Sequence, residues 1–285
     1  MPVTWFAHQA PAVGLKLARP RWFDGTALCV GTIMPDTLLS VGEELGIDSH
    51  TWPSAVLLGV PIGVALTVLF RLVVAPLAAT MLPDLGPFRL WSFGVLADRR
   101  PRWWTTVTSV VVGIVTHVVL DWFTHGERWL PQRLGYADTT VTWFGDTMTA
   151  PEALQIVGHI GLSITTVALA WHLGRHRKLE EWYGADTVER ARTATLGPGA
   201  VVGWYATVAL GAAAGAAWAG SSFWVVGVER VAVGVYVGAI VGAALVRRVA
   251  NVSVSGSLGE QRVAVGVGPV EPAEQIRAGH DRRVP

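Results

Sequence analysis

Cysteine is nearly missing from this chain. The single one, Cys29, excludes an intramolecular disulfide framework and any CxxC metal site, and it reads as a small apolar core residue. Charge is scarce too: 15% of residues are Asp, Glu, Lys or Arg, against roughly 25% in a soluble domain. Neither sign is in excess, with 22 Lys plus Arg and 21 Asp plus Glu, so no nucleic-acid partner is expected. The sequence does not open with a basic segment, an apolar stretch and a small-residue cleavage site, so no cleaved signal peptide is expected.

Apolar sequence fills the chain instead. Hydrophobic residues make up 51% and the mean hydropathy is +0.43. Five runs approach the roughly 20 residues needed to cross hydrocarbon: 55–79, 105–123, 154–173, 200–218 and 225–246. These predict an all-α, polytopic membrane helical bundle of about five transmembrane helices, preceded by an interfacial N-terminal helical region. Pro61 and Pro76 in the first run predict a kink, and Glu229 and Arg230 place the start of the fifth at an interface. Residues 26–41, interrupted by Pro35-Asp36, are expected to form a short re-entrant or interfacial element. Gly211 and Gly215 give the fourth run a small-xxx-small face, suited to close packing against another helix of the chain or a second copy in a homo-oligomer. Many of the 14 tryptophans lie near span ends, among them Trp103, Trp104, Trp122, Trp129, Trp218 and Trp224, as an interfacial belt requires. Residues 251–285 mix Gly, Val, Pro and charge without period and read as a disordered tail.

Basic residues set the orientation. Arg99, Arg100 and Arg102 lie between the first two runs, Arg175, Arg177 and Lys178 follow the third, and Arg247 and Arg248 follow the fifth. The positive-inside rule makes these places cytoplasmic, although Lys16, Arg19 and Arg21 pull the other way. The first 50 residues, the loop 124–153 and the turn near Gly220 then share the opposite side.

That side holds most of the polar groups that bear chemistry. His117, Asp121 and His125 are spaced four apart, which on a helix puts them on one face, a turn above one another. Imidazole and carboxylate are ordinary ligands of Zn²⁺ and similar cations, and ionisable groups beside membrane-grade sequence mark function. With His8, Asp36, His50 and His159, five of the eight histidines and two carboxylates gather at one face. A polar stripe satisfied by hydrogen bonds, without a metal, is the alternative. Taken singly, His8 is a surface histidine, Asp36 a turn or N-cap residue, His50 a cap and His159 a core histidine. Arg71 and Arg128 read as interfacial anchors, with phosphate binding the alternative.

The pattern Ala7-His8-Gln9-Ala10-Pro11, Gly31-Thr-Ile-Met-Pro35-Asp36, Ser49-His50, Thr116-His117-x3-Asp121-x3-His125 and Gly158-His159 resembles a family of uncharacterised bacterial multi-pass membrane proteins, known as a domain of unknown function. That family is related to membrane-bound metal-dependent hydrolases. The resemblance covers about residues 1–175, as a metal-site membrane domain, with additional transmembrane helices over 176–250. The order of His and Asp is also similar to that of zinc-dependent phospholipase C, an α-helical enzyme with a trinuclear zinc cluster. The resemblance implies one to three Zn²⁺ ions: Asp36, His50, His117 and Asp121 around the first, Asp121 bridging to a second held by His8, and His125 with His159 at a third. Two features depart from phospholipase C: Ser163 stands where its last histidine is followed by a glutamate, and no processed N-terminal ligand is evident.

An enzyme of this kind would hydrolyse a phosphodiester or phospholipid at the extracytoplasmic surface of the bacterial cell membrane. The bilayer would be its partner and an amphiphilic phosphodiester its substrate, with Asp36 and Asp121 as catalytic carboxylates. The non-enzymatic alternative is a structural metal or polar cluster in a scaffold or transport component. A transporter would place its ionisable groups at the bilayer midplane, and the interleaved aspartates favour a harder cation over haem. The orientation is testable by cysteine labelling in intact cells. An impermeant thiol reagent should label Asp138→Cys and spare Asp186→Cys.

Overall fold

The computed structural model describes residues 4–47, 51–192, 196–220 and 224–264. The helices are α1 (Thr4–Ala7), α2 (Gln9–Ala18), α3 (Gly25–Leu45), α4 (Trp52–Ser54), α5 (Val60–Leu69), α6 (Ala75–Met81), α7 (Trp103–Thr124), α8 (Trp129–Leu134), α9 (Ala150–Arg175), α10 (Lys178–Tyr183), α11 (Ala185–Arg192), α12 (Pro198–Ala219) and α13 (Trp224–Ala264). Strands β1 (Thr140–Trp143) and β2 (Asp146–Thr149) pair antiparallel, with Thr140 opposite Thr149, in the loop between α8 and α9. The chain divides into two units, Met1–Val246 and Arg247–Pro285, and the packing below belongs to the first.

Five helical segments are long and apolar enough to cross a membrane: Trp52–Leu77, Trp103–Thr124, Ala150–Arg175, Pro198–Ala219 and Val226–Val249. They coincide with the five apolar runs. The first is a single helical run of α4, α5 and α6, broken by wide π-type turns at Ala55–Gly59 and Phe70–Val74. Pro61 and Pro76 lie just beyond these turns. Neither has an N–H to give the carbonyl four residues back, so the expected kinks take the form of widened turns.

The length expected for residues 26–41 is corrected: Pro35 does not interrupt the helix, and α3 runs 21 residues. Asp24 caps its start, accepting from Ala27 N, and Gly46 closes its end in the left-handed conformation. Ala27, Val30, Met34 and Leu38 of α3 form one core cluster with Ala55, Val110, Ile114 and Val118.

Two glycines let α3 and α7 touch backbone to backbone. A Cβ on Gly31 would lie 2.3 Å from Val110 O, and one on Gly113 would lie 2.4 Å from Leu28 O. No side chain fits at either position. The Gly211 and Gly215 face works in the same way against α13 of the same chain, where added Cβ atoms would meet Gly234 O at 2.1 Å and Arg230 O at 2.4 Å.

Three further expectations change. Arg71 is not an interfacial anchor: it is buried at 7% exposure and paired with Asp24, whose carboxylate also accepts from Thr106 Oγ1 at 2.8 Å. Glu229 and Arg230 do not mark a wet helix end. Both are buried, and Arg230 donates to Ser40 O at 3.0 Å and Trp218 O at 3.2 Å while its guanidinium lies over the Trp218 ring. The cost of burying an arginine is offset by filling its donors. The tail is not irregular from its start, because α13 continues as helix to Ala264; positions 265–285 lie outside the described residues.

Among the tryptophans, Trp103, Trp104, Trp129 and Trp52 are exposed near helix ends, as an interfacial belt expects. Trp122 instead packs against the α3 core and edge-on to Trp52.

The close contact of α3 with α7 makes a stability prediction. Gly113→Ala should destabilise the protein by about 1–3 kcal/mol, the cost of overpacking, because the added methyl meets backbone that cannot rotate away. Thermal unfolding in detergent checks this, with Gly161→Ala as control, since a Cβ there meets nothing within 4 Å.

Candidate metal centre

Three elements converge below the α3–α7 contact. Pro35 cannot donate to Gly31 O, which loosens that turn of α3. One residue on, the Thr32 carbonyl faces His117 Nδ1 at 2.7 Å. A carbonyl only accepts, so Nδ1 carries the proton of this bond, and in the neutral ring Nε2 is left with the lone pair. Nε2 lies 3.1 Å from Asp121 Oδ2 and 3.5 Å from Asp36 Oδ1. A lone pair held against two carboxylates is repulsive unless a proton or a cation lies among them. A carbonyl that fixes the tautomer of an imidazole is also the usual outer partner of a metal-bound histidine.

His8 reaches the same place from the N-terminus. It stands between α1 and α2 with helical backbone (φ −67°, ψ −12°) and makes no capping bond of its own. Its ring stacks on that of His117, centroids 3.9 Å apart, and its Nε2 lies 3.8 Å from Asp121 Oδ1. Two ties hold the N-terminal segment over the site. Gln9 Nε2 donates to Thr32 Oγ1 at 2.8 Å, and Thr166 Oγ1 of α9 donates to Phe6 O at 2.8 Å.

His8, Asp36 and His117 are all buried and each offers one ligand atom within 4.8 Å of the others, so this group could hold a metal ion. Nitrogen and oxygen ligands about 2.1 Å from a tetrahedral ion stand about 3.4 Å apart. The observed separations of 3.1, 3.5 and 3.8 Å around His117, His8 and the two carboxylates bracket that spacing. His8 Nδ1 and His159 Nδ1 are buried without a hydrogen-bond partner. The donor set therefore could hold a metal ion.

Electrostatics argue the same way. Burial, reinforced by the neighbouring His117, pushes His8 from its ordinary 6.5 down to about 3, against the pull of Asp36 and Asp121. His8 is thus neutral, the form that binds metal, and cannot itself offset the two buried carboxylates.

The other predicted residues lie around this group. His159, on α9, is buried with its ring centroid 6.1 Å from that of His8. His125 ends α7, and its one-third-exposed side chain places Nδ1 3.9 Å from Asp121 Oδ1. Gln155 Nε2 lies 3.4 Å from the other nitrogen of that ring. The structure thus brings together six of the seven predicted residues, His8, Asp36, His117, Asp121, His125 and His159. The seventh, His50, lies outside the described residues. His172 and His176 lie against each other near the end of α9, their rings tilted by 40°. Ser163, in the place of the absent glutamate, has a buried Oγ without a hydrogen-bond partner. The Thr32 carbonyl and Gln155 escaped the sequence reading. A backbone carbonyl has no residue-type signal, and Gln155 is simply one polar residue in an apolar helix.

Five helices long and apolar enough to cross a membrane suggest a multi-pass membrane protein, and the buried histidine–carboxylate group could hold a metal. Its family is shown by sequence: the chain belongs to the domain of unknown function DUF4184, which matches residues 1–247. No curated protein and no solved structure matches the chain.

Two outcomes are expected. Elemental analysis of protein purified after zinc-supplemented growth should find about one equivalent or more, falling at least tenfold in His117→Ala or Asp121→Ala and unchanged in His172→Ala. In chelator-treated protein, unfolded His8 binds more protons than folded His8 between pH 6.5 and about 3. Stability therefore rises with pH across that window and is lost on acidification. Unfolding temperatures at pH 7 and pH 5 should differ more in the wild type than in His8→Gln.

Proposed function

We propose that this protein is a membrane-embedded, metal-dependent hydrolase that acts on a phosphodiester or phospholipid at the extracytoplasmic surface. The observation that carries the reading is the single buried focus at which His8, Asp36 and His117 meet, with Asp121 against both histidines. Support also comes from the order of His and Asp along the chain, which resembles that of zinc-dependent phospholipase C. The arginine-rich loop before α7 and the cluster near its other end fit a site facing away from the cytoplasm.

A divalent cation here would supply Lewis acidity toward a phosphoryl oxygen and acidify nearby water. His8, Asp36 and His117 would hold it, with Thr32 O keeping the His117 ring in the ligating tautomer. Asp121 lies between buried His117 and part-exposed His125. It is placed to accept a proton from a water at the group, with part-exposed His125 stabilising its charge. His159 borders the group beside His8 and would serve a second ion.

One observation favours a structural metal instead: all three grouped residues are buried, and structural sites are closed where catalytic ones keep a position open. Turnover decides between the readings. Metal-loaded protein should hydrolyse short-chain phospholipids or a chromogenic phosphodiester. Asp121→Asn and Asp36→Asn should each lower the rate by at least about 100-fold, whereas His172→Ala should not. A fully metallated wild type that turns over no lipid, nucleotide or simple phosphodiester transfers the conclusion to the structural site.

A further inference from the structure

At the opposite end of α7 the structure holds a second polar focus, made of cations. A cavity of about 390 Å³ is lined by Lys16, Arg21, Arg71, Arg99, Arg100 and Arg102. The one carboxylate among them, Asp24, is already committed: it accepts from Arg71, from Thr106 Oγ1 and from Ala27 N. Six cationic side chains thus line a cavity with one saturated anion; Lys16 Nζ also donates to Pro20 O at 2.6 Å and Phe23 O at 2.8 Å, and Arg100 donates to Ala97 O and Arg99 O.

Exposed arginines at a helix end need no ligand, but two observations go beyond that. Arg71 is buried, and its Nε has no hydrogen-bond partner; Arg99 Nε is likewise buried and unpartnered. Helix α7 begins here, at Arg102, without a side-chain cap, so its positive N-terminal end adds to the field. Burial pushes the Lys16 ammonium from 10.5 to about 8 despite Asp24, with Arg71 adding to the fall. The cavity is built for an anion with several acceptor oxygens.

The neighbouring space says what carries that anion. A groove of about 310 Å³ shares Arg71, Arg99 and Arg100 with the basic cavity, and its remaining lining is mainly apolar, including Val64, Val68, Leu72, Val107 and Trp103, with Thr106 polar. The groove lies between two candidate membrane spans, so apolar and cationic spaces meet at the same three arginines. We propose that this is a binding site for an anionic phospholipid, with the phosphate in the basic cavity and an acyl chain in the groove. The site is separate from the metal group: Thr106 and His117 are eleven residues apart on one helix, about 16 Å along its axis. Basic pockets between membrane helices are suited to such headgroups.

The test uses the full chain in detergent, titrated with dioctanoyl phosphatidic acid, dioctanoyl phosphatidylcholine or inorganic phosphate, with binding followed by native mass spectrometry and thermal shift. Phosphatidic acid should bind at least about tenfold more tightly than either alternative. Arg71 supports Asp24, so the variants are placed at the more accessible Arg99 and Arg102. Arg99→Gln and Arg102→Gln should each weaken phosphatidic acid about fivefold, while Arg133→Gln, near the other end of α7, should have no effect. The metal content of all three should equal that of the wild type, which separates this result from the fate of the metal reading. Equal affinity for phosphatidic acid and phosphatidylcholine would overturn the proposal, as would wild-type binding in the Arg99→Gln/Arg102→Gln double variant. Inorganic phosphate binding as tightly as the lipid would overturn it in favour of a soluble anion.

Discussion

The backbone contact of α3 with α7 at Gly31 and Gly113 governs the rest of this structure. Side chains ordinarily hold packed helices 8–10 Å apart. Here each helix meets the other at a residue with no side chain, and backbone atoms do the packing. Asp36 and His117 are then close enough to share one ligand position, and the Thr32 carbonyl is close enough to hold the His117 ring. A slightly wider spacing would leave the same residues on the same faces with no common centre.

The second constraint is charge in an apolar setting. Buried ions are tolerated where partners surround them, because desolvation costs several kcal/mol per ion otherwise. The molecule meets this cost in different ways at the two ends of α7. Near the start, Asp24 gathers Arg71, Thr106 and a backbone N–H around itself. Toward the end, two carboxylates share space with three imidazoles, and His8 is held neutral. The first arrangement has its counter-charge in covalent form. The second is a buried group that could hold a cation.

Much of this was legible from residue order. Spans follow from length and hydropathy, and the five runs match the five long apolar helices. His117, Asp121 and His125 were readable because a four-residue spacing becomes adjacency on a helix. His8, Asp36 and His159 were readable only through the alternation of spans and the family pattern, since nothing local distinguishes a ligand from a surface or core histidine. Other features depended on tertiary contacts. The length of α3 was hidden by Pro35, which breaks the pattern without breaking the helix. Arg71 and Arg230 looked interfacial because sequence shows a charge and not its partner. Asp24, the partner of Arg71, lies 47 positions away and carries no signal of its own.

The tie between Thr166 and the Phe6 carbonyl has a consequence for assembly. The grouped residues His8, Asp36 and His117 come from the beginning, the first third and the middle of the described chain, and the clamp beside the first of them belongs to α9. Synthesis runs from the N-terminus, so α1 waits for most of the membrane region before its last restraint arrives. The N-terminal segment can therefore gain this clamp only once α9 has been made, 160 residues later.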